Sequence, residues 1–148
     1  MVTNEDGDKP ISVVPSRSRG TWYLLQARPD EALPDYERTL KLFTPQDRKM
    51  DWLRTYINMG NIYNLKKNAD SAFHYYDKVL AIDPRFNIAY WNKGIIYLQV
   101  KQDTASFLEF MDRALSYGLN PLNMDLDPDL DGVRKLQEFQ DIRKKYVE

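Results

Sequence analysis

Apolar side chains recur with helical spacing from residue 53 onwards. Tyr56, Met59, Gly60 and Tyr63 stand at i, i+3, i+4 and i+7, so they share one face of a predicted helix. A polar break at 67–70 separates this helix from a second one, whose apolar face consists of Ala72, Tyr76, Val79, Leu80 and Ile82. Asp70 is predicted to cap the second helix. Asp83-Pro84 is predicted to end it, because proline cannot continue a helix.

The same pattern returns further along the chain. Gly60-x-x-Tyr63 recurs as Gly94-x-x-Tyr97, with the glycine and the tyrosine displaced equally. Asp103 is the predicted cap of the helix that follows, and its predicted buried face comprises Phe107, Met111, Ala114 and Leu115. Gly118 is the predicted C-terminal cap of that helix. Ala114 follows Val79 by one position more than Gly94 follows Gly60, so the second copy needs one extra residue between its two helices.

The displacement from Gly60 to Gly94 matches the period of about 34 residues that is typical of the tetratricopeptide repeat, and both units resemble that family. The unit at 53–86 carries the family's signature at Tyr56, Gly60, Tyr63, Ala72, Tyr76, Val79 and Pro84. The unit at 87–120 carries Tyr90, Gly94, Tyr97, Met111 and Ala114, but it has Phe107 where the family prefers a small residue. The resemblance implies an all-α fold of antiparallel helix pairs in a right-handed superhelix, with the signature residues packed in the core.

A third, weaker copy precedes these two. Gly20, Tyr23, Ala32, Tyr36, Thr39 and Leu40 have the spacing of Gly60 to Leu80, with the same offset at every position. We therefore predict a degenerate repeat at 20–45, with a short helix at 21–26 and a full one at 30–43, which tolerates Pro34 only in its first turn. Thr44-Pro45 is predicted to begin the next helix, which runs to Lys66. Residues 1–19 have little periodicity and are predicted to be a disordered or extended tail.

The repeat array is thus expected at 20–118, followed by a closing loop and a capping helix at 119–148. Pro121 and Pro128 predict a loop over 119–130. The capping helix, with Asp131 as its N-cap, is predicted from the apolar spacing of Val133, Leu136, Phe139 and Ile142. Such a helix covers the last apolar face of a stacked array.

Composition narrows the class of function. A net charge of −1 and a pI near 5.9 argue against a nucleic-acid partner. No apolar run approaches the roughly 18 residues that a membrane span needs, and we do not expect the first residues to be a signal peptide, since they have neither a basic patch nor an apolar stretch. The chain has no cysteine, which excludes disulfides and thiol chemistry. The cytoplasm is the expected compartment by default, an expectation that a removed targeting segment would change.

One acidic segment has the pattern of a calcium loop. Asp127, Asp129, Asp131, Gly132 and Glu138 satisfy the EF-hand spacing, in which carboxylates surround a hard cation. Pro128 and Arg134 do not suit such a loop, and Gly132 to Glu138 also fits the start of the capping helix. A calcium-responsive module that uses residues 127–138 is therefore the alternative function.

Catalysis has little support in the sequence. The single histidine, His74, is predicted to lie on the outer side of its helix, away from Ala72 and Tyr76. We find no phosphate-binding glycine loop, zinc-type histidine pair or nucleophile elbow. We expect neither an enzyme nor a cofactor.

The family resemblance instead implies a non-catalytic protein–protein interaction module, such as an adaptor or assembly subunit. In this family the first helix of each repeat lines a concave surface that holds a protein or peptide segment. Carried over by register, that surface comprises Arg54, Ile57, Asn61, Asn64, Ile88, Trp91, Asn92, Ile95 and Gln99. Trp91 and Ile57 would be apolar anchors, unless Trp91 packs against the next repeat, and the asparagines would clamp a peptide backbone. With barely three units, self-association or membership in a larger complex would add stability.

Overall fold

The structure, a computed structural model, describes residues 26–125 and 127–147. These residues form six α-helices and two short 3₁₀ turns, and no strand. The α-helices are α1 Pro29–Leu42, α2 Lys49–Leu65, α3 Ala69–Ile82, α4 Asn87–Gln99, α5 Thr104–Ser116 and α6 Gln137–Lys144, and the 3₁₀ turns are Pro121–Met124 and Pro128–Leu130. The all-α prediction is confirmed. The predicted tail at 1–19 lies outside the described residues, as does the predicted helix at 21–26 apart from Gln26.

The contacts divide the chain into two compact units, with the boundary between Lys78 and Val79 inside α3. In the first unit α1 packs on α2 around a buried cluster of Ala32, Tyr36, Met59 and Ile62. Gly60 of α2 faces the ring of Tyr76 on α3, and a Cβ at Gly60 would lie only 2.7 Å from Tyr76 Cδ1. The repeat's first glycine therefore permits the close approach of two helices that the sequence predicts.

The second unit has a larger core. Helix α4 packs along α5, and α6 also packs on α5. Seven buried side chains form this core: Phe107, Met111, Leu115, Met124, Leu130, Val133 and Phe139. Four of the seven come from the segment after α5, so this segment completes the hydrophobic core of the second repeat.

The connections within the two repeats confirm the predicted insertion. Residues 66–68 join α2 to α3, whereas residues 100–103 join α4 to α5, one residue more. Asp103 caps α5 as predicted, because its Oδ1 accepts the Ser106 N–H at 3.0 Å. The predicted Asp70 cap of α3 is wrong. Asn68 fills that role, since its Oδ1 accepts the Ser71 N–H at 3.1 Å and Asp70 lies inside the helix.

Gly118 ends α5 as predicted. Its φ of +98° is in the left-handed region, which glycine adopts without steric cost. The Gly118 N–H donates to the Leu115 carbonyl at 3.0 Å, and the Leu119 N–H donates to the Ala114 carbonyl at 3.1 Å. These two bonds are the pair expected of a Schellman C-cap.

Two predictions about proline near α1 and α2 are wrong. Pro34 lies inside α1, beyond its first turn. Both Pro34 and Asp30, whose carbonyl loses its helical donor to the proline, are exposed, so water can replace the missing N–H. Thr44-Pro45 does not begin α2, which starts at Lys49. The Asp47 carboxylate instead accepts the Thr44 N–H at 2.5 Å and the Thr44 hydroxyl at 3.1 Å, which closes a separate turn before the helix.

The closing segment also differs from its prediction. The predicted loop at 119–130 contains two 3₁₀ turns, each started by a proline. The capping helix begins only at Gln137, and Asp131 does not cap it. Arg134 accounts for the delay, because its guanidinium turns back to the Met124 and Asp127 carbonyls, at 3.0 and 2.5 Å, and holds residues 131–136 in turns.

Candidate functional site

Helix α4 offers one accessible stripe of mixed apolar and polar residues. One side of the helix is buried through Ala89, Tyr90, Gly94 and Ile96. The predicted partner-binding residues share another side: Ile88 is 43% exposed, Gln99 is exposed, and Trp91, Asn92 and Ile95 are half-buried. We call these five residues the α4 stripe. The repeat places them together because their spacing of three or four residues follows one helical face.

Trp91 belongs partly to the core. Its ring meets the edge of Phe107 with a centroid distance of 5.9 Å and an interplanar angle of 63°. Trp91 and Ile95 both pack against the core cluster of the second unit. The alternative from the sequence was packing of Trp91 against the next repeat. Its ring partner Phe107 instead lies in the same repeat, and this contact occupies part of the Trp91 surface and leaves only the remainder open to a partner.

The first unit contributes a more polar set on α2. Arg54 is exposed and Asn64 is half-buried. Ile57 is only 8% exposed, so it presents little apolar surface and is a poor candidate for an anchor. The accessible surface of α2 is therefore mainly polar, and it lacks the apolar anchor that the sequence predicted at Ile57.

The asparagines of α2 have structural partners. Asn61 Oδ1 accepts the hydroxyl of the buried Tyr76 at 2.6 Å, which orients the amide. Asn58, which the sequence analysis did not select, donates from Nδ2 to the Tyr36 hydroxyl at 3.0 Å. Asn58 precedes the predicted site residue Asn92 by the same displacement that separates Gly60 from Gly94, and this is the signal that could have identified it. These amides already form hydrogen bonds with tyrosine hydroxyls, so they can bind a peptide only with their remaining donor and acceptor positions.

The acidic segment uses its carboxylates locally. Asp127 Oδ1 accepts the Asp129 N–H at 3.0 Å, and Asp131 pairs with Arg134 Nη1 at 2.6 Å. The cation held by this segment is thus the Arg134 guanidinium. Within residues 26–125 and 127–147, no group of three or more His, Cys, Asp or Glu residues could hold a metal ion.

A polar contact joins the last turn of the chain to α5. The Tyr146 hydroxyl donates to Asp112 Oδ1 at 2.6 Å, and Lys145 Nζ lies 3.0 Å from the same carboxylate. The hydrogen bond to Asp112, aided by burial, raises the pKa of Tyr146 to about 12. Burial alone would raise the pKa of Asp112, but the bonds from Tyr146 and Lys145 outweigh it and lower that pKa. Sequence reasoning missed this contact because its partners lie far apart in the chain and no local pattern links them.

His74 is exposed on α3, as predicted, and its ring meets the edge of Tyr75 at 5.2 Å. No helix among the described residues is long and apolar enough to cross a membrane.

A family model described as tetratricopeptide repeat matches residues 11–85, about half of the chain. The match spans the degenerate copy and the first full repeat, and the period and helix pairs described above extend the pattern to residue 120. The chain belongs to the tetratricopeptide repeat family. Members of this family generally mediate protein–protein interaction and are generally non-catalytic. No curated protein matches the chain.

Proposed function

We propose that this protein is an adaptor or assembly subunit that holds a segment of a partner protein against the first helices of its repeats. Family membership supports the class of function. The observation that carries the site is the α4 stripe, which keeps Ile88 and part of Trp91 accessible beside Asn92 and Gln99. An apolar contact flanked by amide groups suits a peptide, whose side chains need apolar surface and whose backbone needs hydrogen-bond partners.

On α2, the same proposal assigns partner contacts to Arg54, Asn61 and Asn64. Arg54 is exposed and cationic, so it would favour an acidic group on the partner. Ile57 is retained only as support for these neighbours, because it is almost completely buried.

The experiment compares partner capture from the source cells by the wild type and by Ile88→Asp. Ile88 lies in the first turn of α4, where an aspartate suits the helix dipole, so this variant should stay folded. Leu122→Asp is the matched control, because Leu122 is 61% exposed near the start of a 3₁₀ turn and lies outside the stripe. We expect a partner that Ile88→Asp loses and Leu122→Asp retains. Equal capture by all three proteins would reject the α4 stripe.

Arg54→Glu tests the α2 residues separately. Arg54 is exposed, so charge reversal should leave the fold intact while it weakens binding to an acidic partner segment. The weakening should diminish as salt concentration rises, because salt screens exposed charges. Binding that is unaffected by Arg54→Glu at low salt would remove Arg54 from the proposed site.

A further inference from the structure

The apolar end of the second repeat is covered by the chain itself. On α5 this end consists of Phe107, Met111 and Leu115, and on α4 it is extended by the partly buried Trp91 and Ile95. We call these five residues the end face. The segment after α5 covers it with Met124, Leu130, Val133 and Phe139. The end face is therefore a hydrophobic surface whose only visible occupant within the described residues is a segment of the same chain.

The final part of this cover contributes a single completely buried side chain. Helix α6 has eight residues, follows Leu136 without a side-chain cap, and buries only Phe139 completely. A helix of this length is unstable by itself in water.

Beyond Phe139 the helix is held by polar contacts. Gln140 Nε2 donates to the Arg134 carbonyl at 2.5 Å, Arg143 pairs with Asp125 at 2.7 Å, and Tyr146 and Lys145 reach Asp112. The ion pairs are partly exposed, with Asp125 43% and Lys145 52% exposed, and such pairs add little stability. Residues 137–147 should therefore open at a lower cost than the rest of the unit.

The side chains of the cover indicate which kind of helix the end face can bind. Phe139 enters the core, Ile142 packs beside it three residues later, and Tyr146 reaches Asp112 a further turn along. Lys145 adds a positive charge to the same carboxylate. The ligand is thus an amphipathic helix with an aromatic residue, then an aliphatic residue at i+3, then a basic residue and a tyrosine at i+6 and i+7.

We propose that the end face is a second docking site, which takes a helix of this pattern from a partner protein, and that residues 137–147 compete for it as an intramolecular ligand. The occupant follows from the segment seated on the face and from the charge of Asp112. A partner helix gains access when the chain's own helix opens, so weakening the cover strengthens the partner's binding. This proposal does not depend on occupancy of the α4 stripe, although Trp91 and Ile95 line both surfaces.

The test measures binding of a fluorescein-labelled peptide with the sequence of residues 133–147 to the full-length protein. In the variant Lys145→Ala/Tyr146→Phe the cover loses its contacts with Asp112 and keeps the Arg143–Asp125 pair, while the end face and Asp112 remain intact. We expect this variant to bind the peptide about tenfold more tightly than the wild type does. Lys144→Ala is the control in the cover, because Lys144 is exposed, and it should bind like the wild type.

Two further changes establish where the peptide binds. Phe139→Ala in the peptide should abolish binding, because Phe139 is the buried residue of α6. Adding Asp112→Asn to the double variant should reverse the gain, because the peptide then loses its own contact with Asp112. A folded double variant that binds no more tightly than wild type would overturn the proposal, as would a gain explained by exchange of segments between two copies into a dimer.

Hydrogen exchange of the wild type provides an independent check. Amides of α6 should exchange through local opening, faster and with less denaturant dependence than amides of α5. If both helices exchanged only through global unfolding, the cover could not open and the proposal would fail.

Discussion

The two glycines of the repeated motif differ in how closely the neighbouring helix packs against them. Gly60 and Gly94 occupy equivalent places in the two copies. A Cβ at Gly60 would overlap the Tyr76 ring, whereas a Cβ at Gly94 would lie 3.2 Å from Phe110 Cβ and 3.5 Å from Phe107 Cδ1. The first position excludes any side chain without movement of a buried tyrosine, and the second is merely tight.

We therefore predict that Gly60→Ala destabilises the protein by about 1–3 kcal/mol, through overpacking in the core. Gly94→Ala should change the free energy of unfolding by less than about 1 kcal/mol, since the better helix propensity of alanine offsets the tight contact. Urea unfolding of both variants beside the wild type measures the difference. Equal destabilisation would contradict the packing described for Gly60.

The buried threonines make a second residue-scale comparison. Thr55 is 0% exposed and its hydroxyl has no hydrogen-bond partner among the described residues, whereas the Thr39 hydroxyl donates to the Asp35 carbonyl at 2.9 Å. Thr55→Val should stabilise the protein by about 0.5–2 kcal/mol, because it removes an unsatisfied buried polar group at constant shape. Thr39→Val should not stabilise the protein, because this substitution removes the hydrogen bond from the Thr39 hydroxyl to the Asp35 carbonyl. A shift of the melting temperature in the same direction for both variants would refute this account.

At the scale of elements, periodicity predicted most of the helices and local chemistry set their ends. The ends of α3 and α5 were predictable because Pro84 and Gly118 act through the backbone alone. The start of α2 was not predictable. It depends on whether the Asp47 carboxylate accepts a hydrogen bond from Thr44, as it does here, and the sequence alone does not decide this. The late start of α6 depends on Arg134 reaching the Met124 carbonyl, a contact between elements that no local pattern encodes.

The candidate site was predictable to a similar degree. Helical register identified the members of the α4 stripe, since a face of a helix follows from spacing alone. It did not reveal that Ile57 is buried or that Asn61 satisfies Tyr76, because burial depends on which neighbours cover a face.

The turn between α4 and α5 contains a residue whose substitution by glycine should stabilise the protein. Gln102 has a φ of +52°, a conformation that costs a non-glycine residue about 1–2 kcal/mol. Gln102→Gly should therefore stabilise the protein slightly, after the entropic cost of glycine, about 0.5–1 kcal/mol, is subtracted. Lys101→Gly, one residue earlier and also exposed, should destabilise it. Thermal unfolding of the pair checks the sign, and stabilisation by Lys101→Gly alone would contradict it.

The contact between α5 and the end of the chain predicts a pH dependence. The pKa of Tyr146 is raised to about 12 by the hydrogen bond to Asp112 and by burial. Because the folded-state pKa exceeds the ordinary value of 10.0, the stabilisation is complete below pH 10 and is lost as pH rises through about 12.

At about pH 11, NMR of ring-labelled tyrosine should therefore find Tyr146 mostly neutral. In Asp112→Asn the ionised fraction of the same ring should be clearly larger, because the hydrogen bond that raises its pKa most is gone while the effect of burial remains. Tyr146→Phe assigns the signal. A Tyr146 ring that is mostly ionised in the wild type at this pH would show that the contact with Asp112 is not maintained in solution.

At the scale of the whole molecule, the repeat's signature residues form the core, and the α4 stripe remains accessible on the surface. Glycine, alanine and tyrosine at the repeat positions hold the helices together, and membership in a family that generally mediates protein–protein interaction makes binding the activity to be explained. The function that we propose requires the first helices of the repeats to contact a partner segment.

The most direct measurement places a photo-crosslinking amino acid at single positions in the source cell. Gln99 on α4 and Arg54 on α2 are exposed and proposed to face the partner, and His74 and Glu109 are exposed controls on the second helices of the repeats. The account predicts one common partner, identified by mass spectrometry, that crosslinks at positions 99 and 54 and not at 74 or 109. Crosslinks only from 74 and 109 would contradict the claim and would assign binding to the second helices.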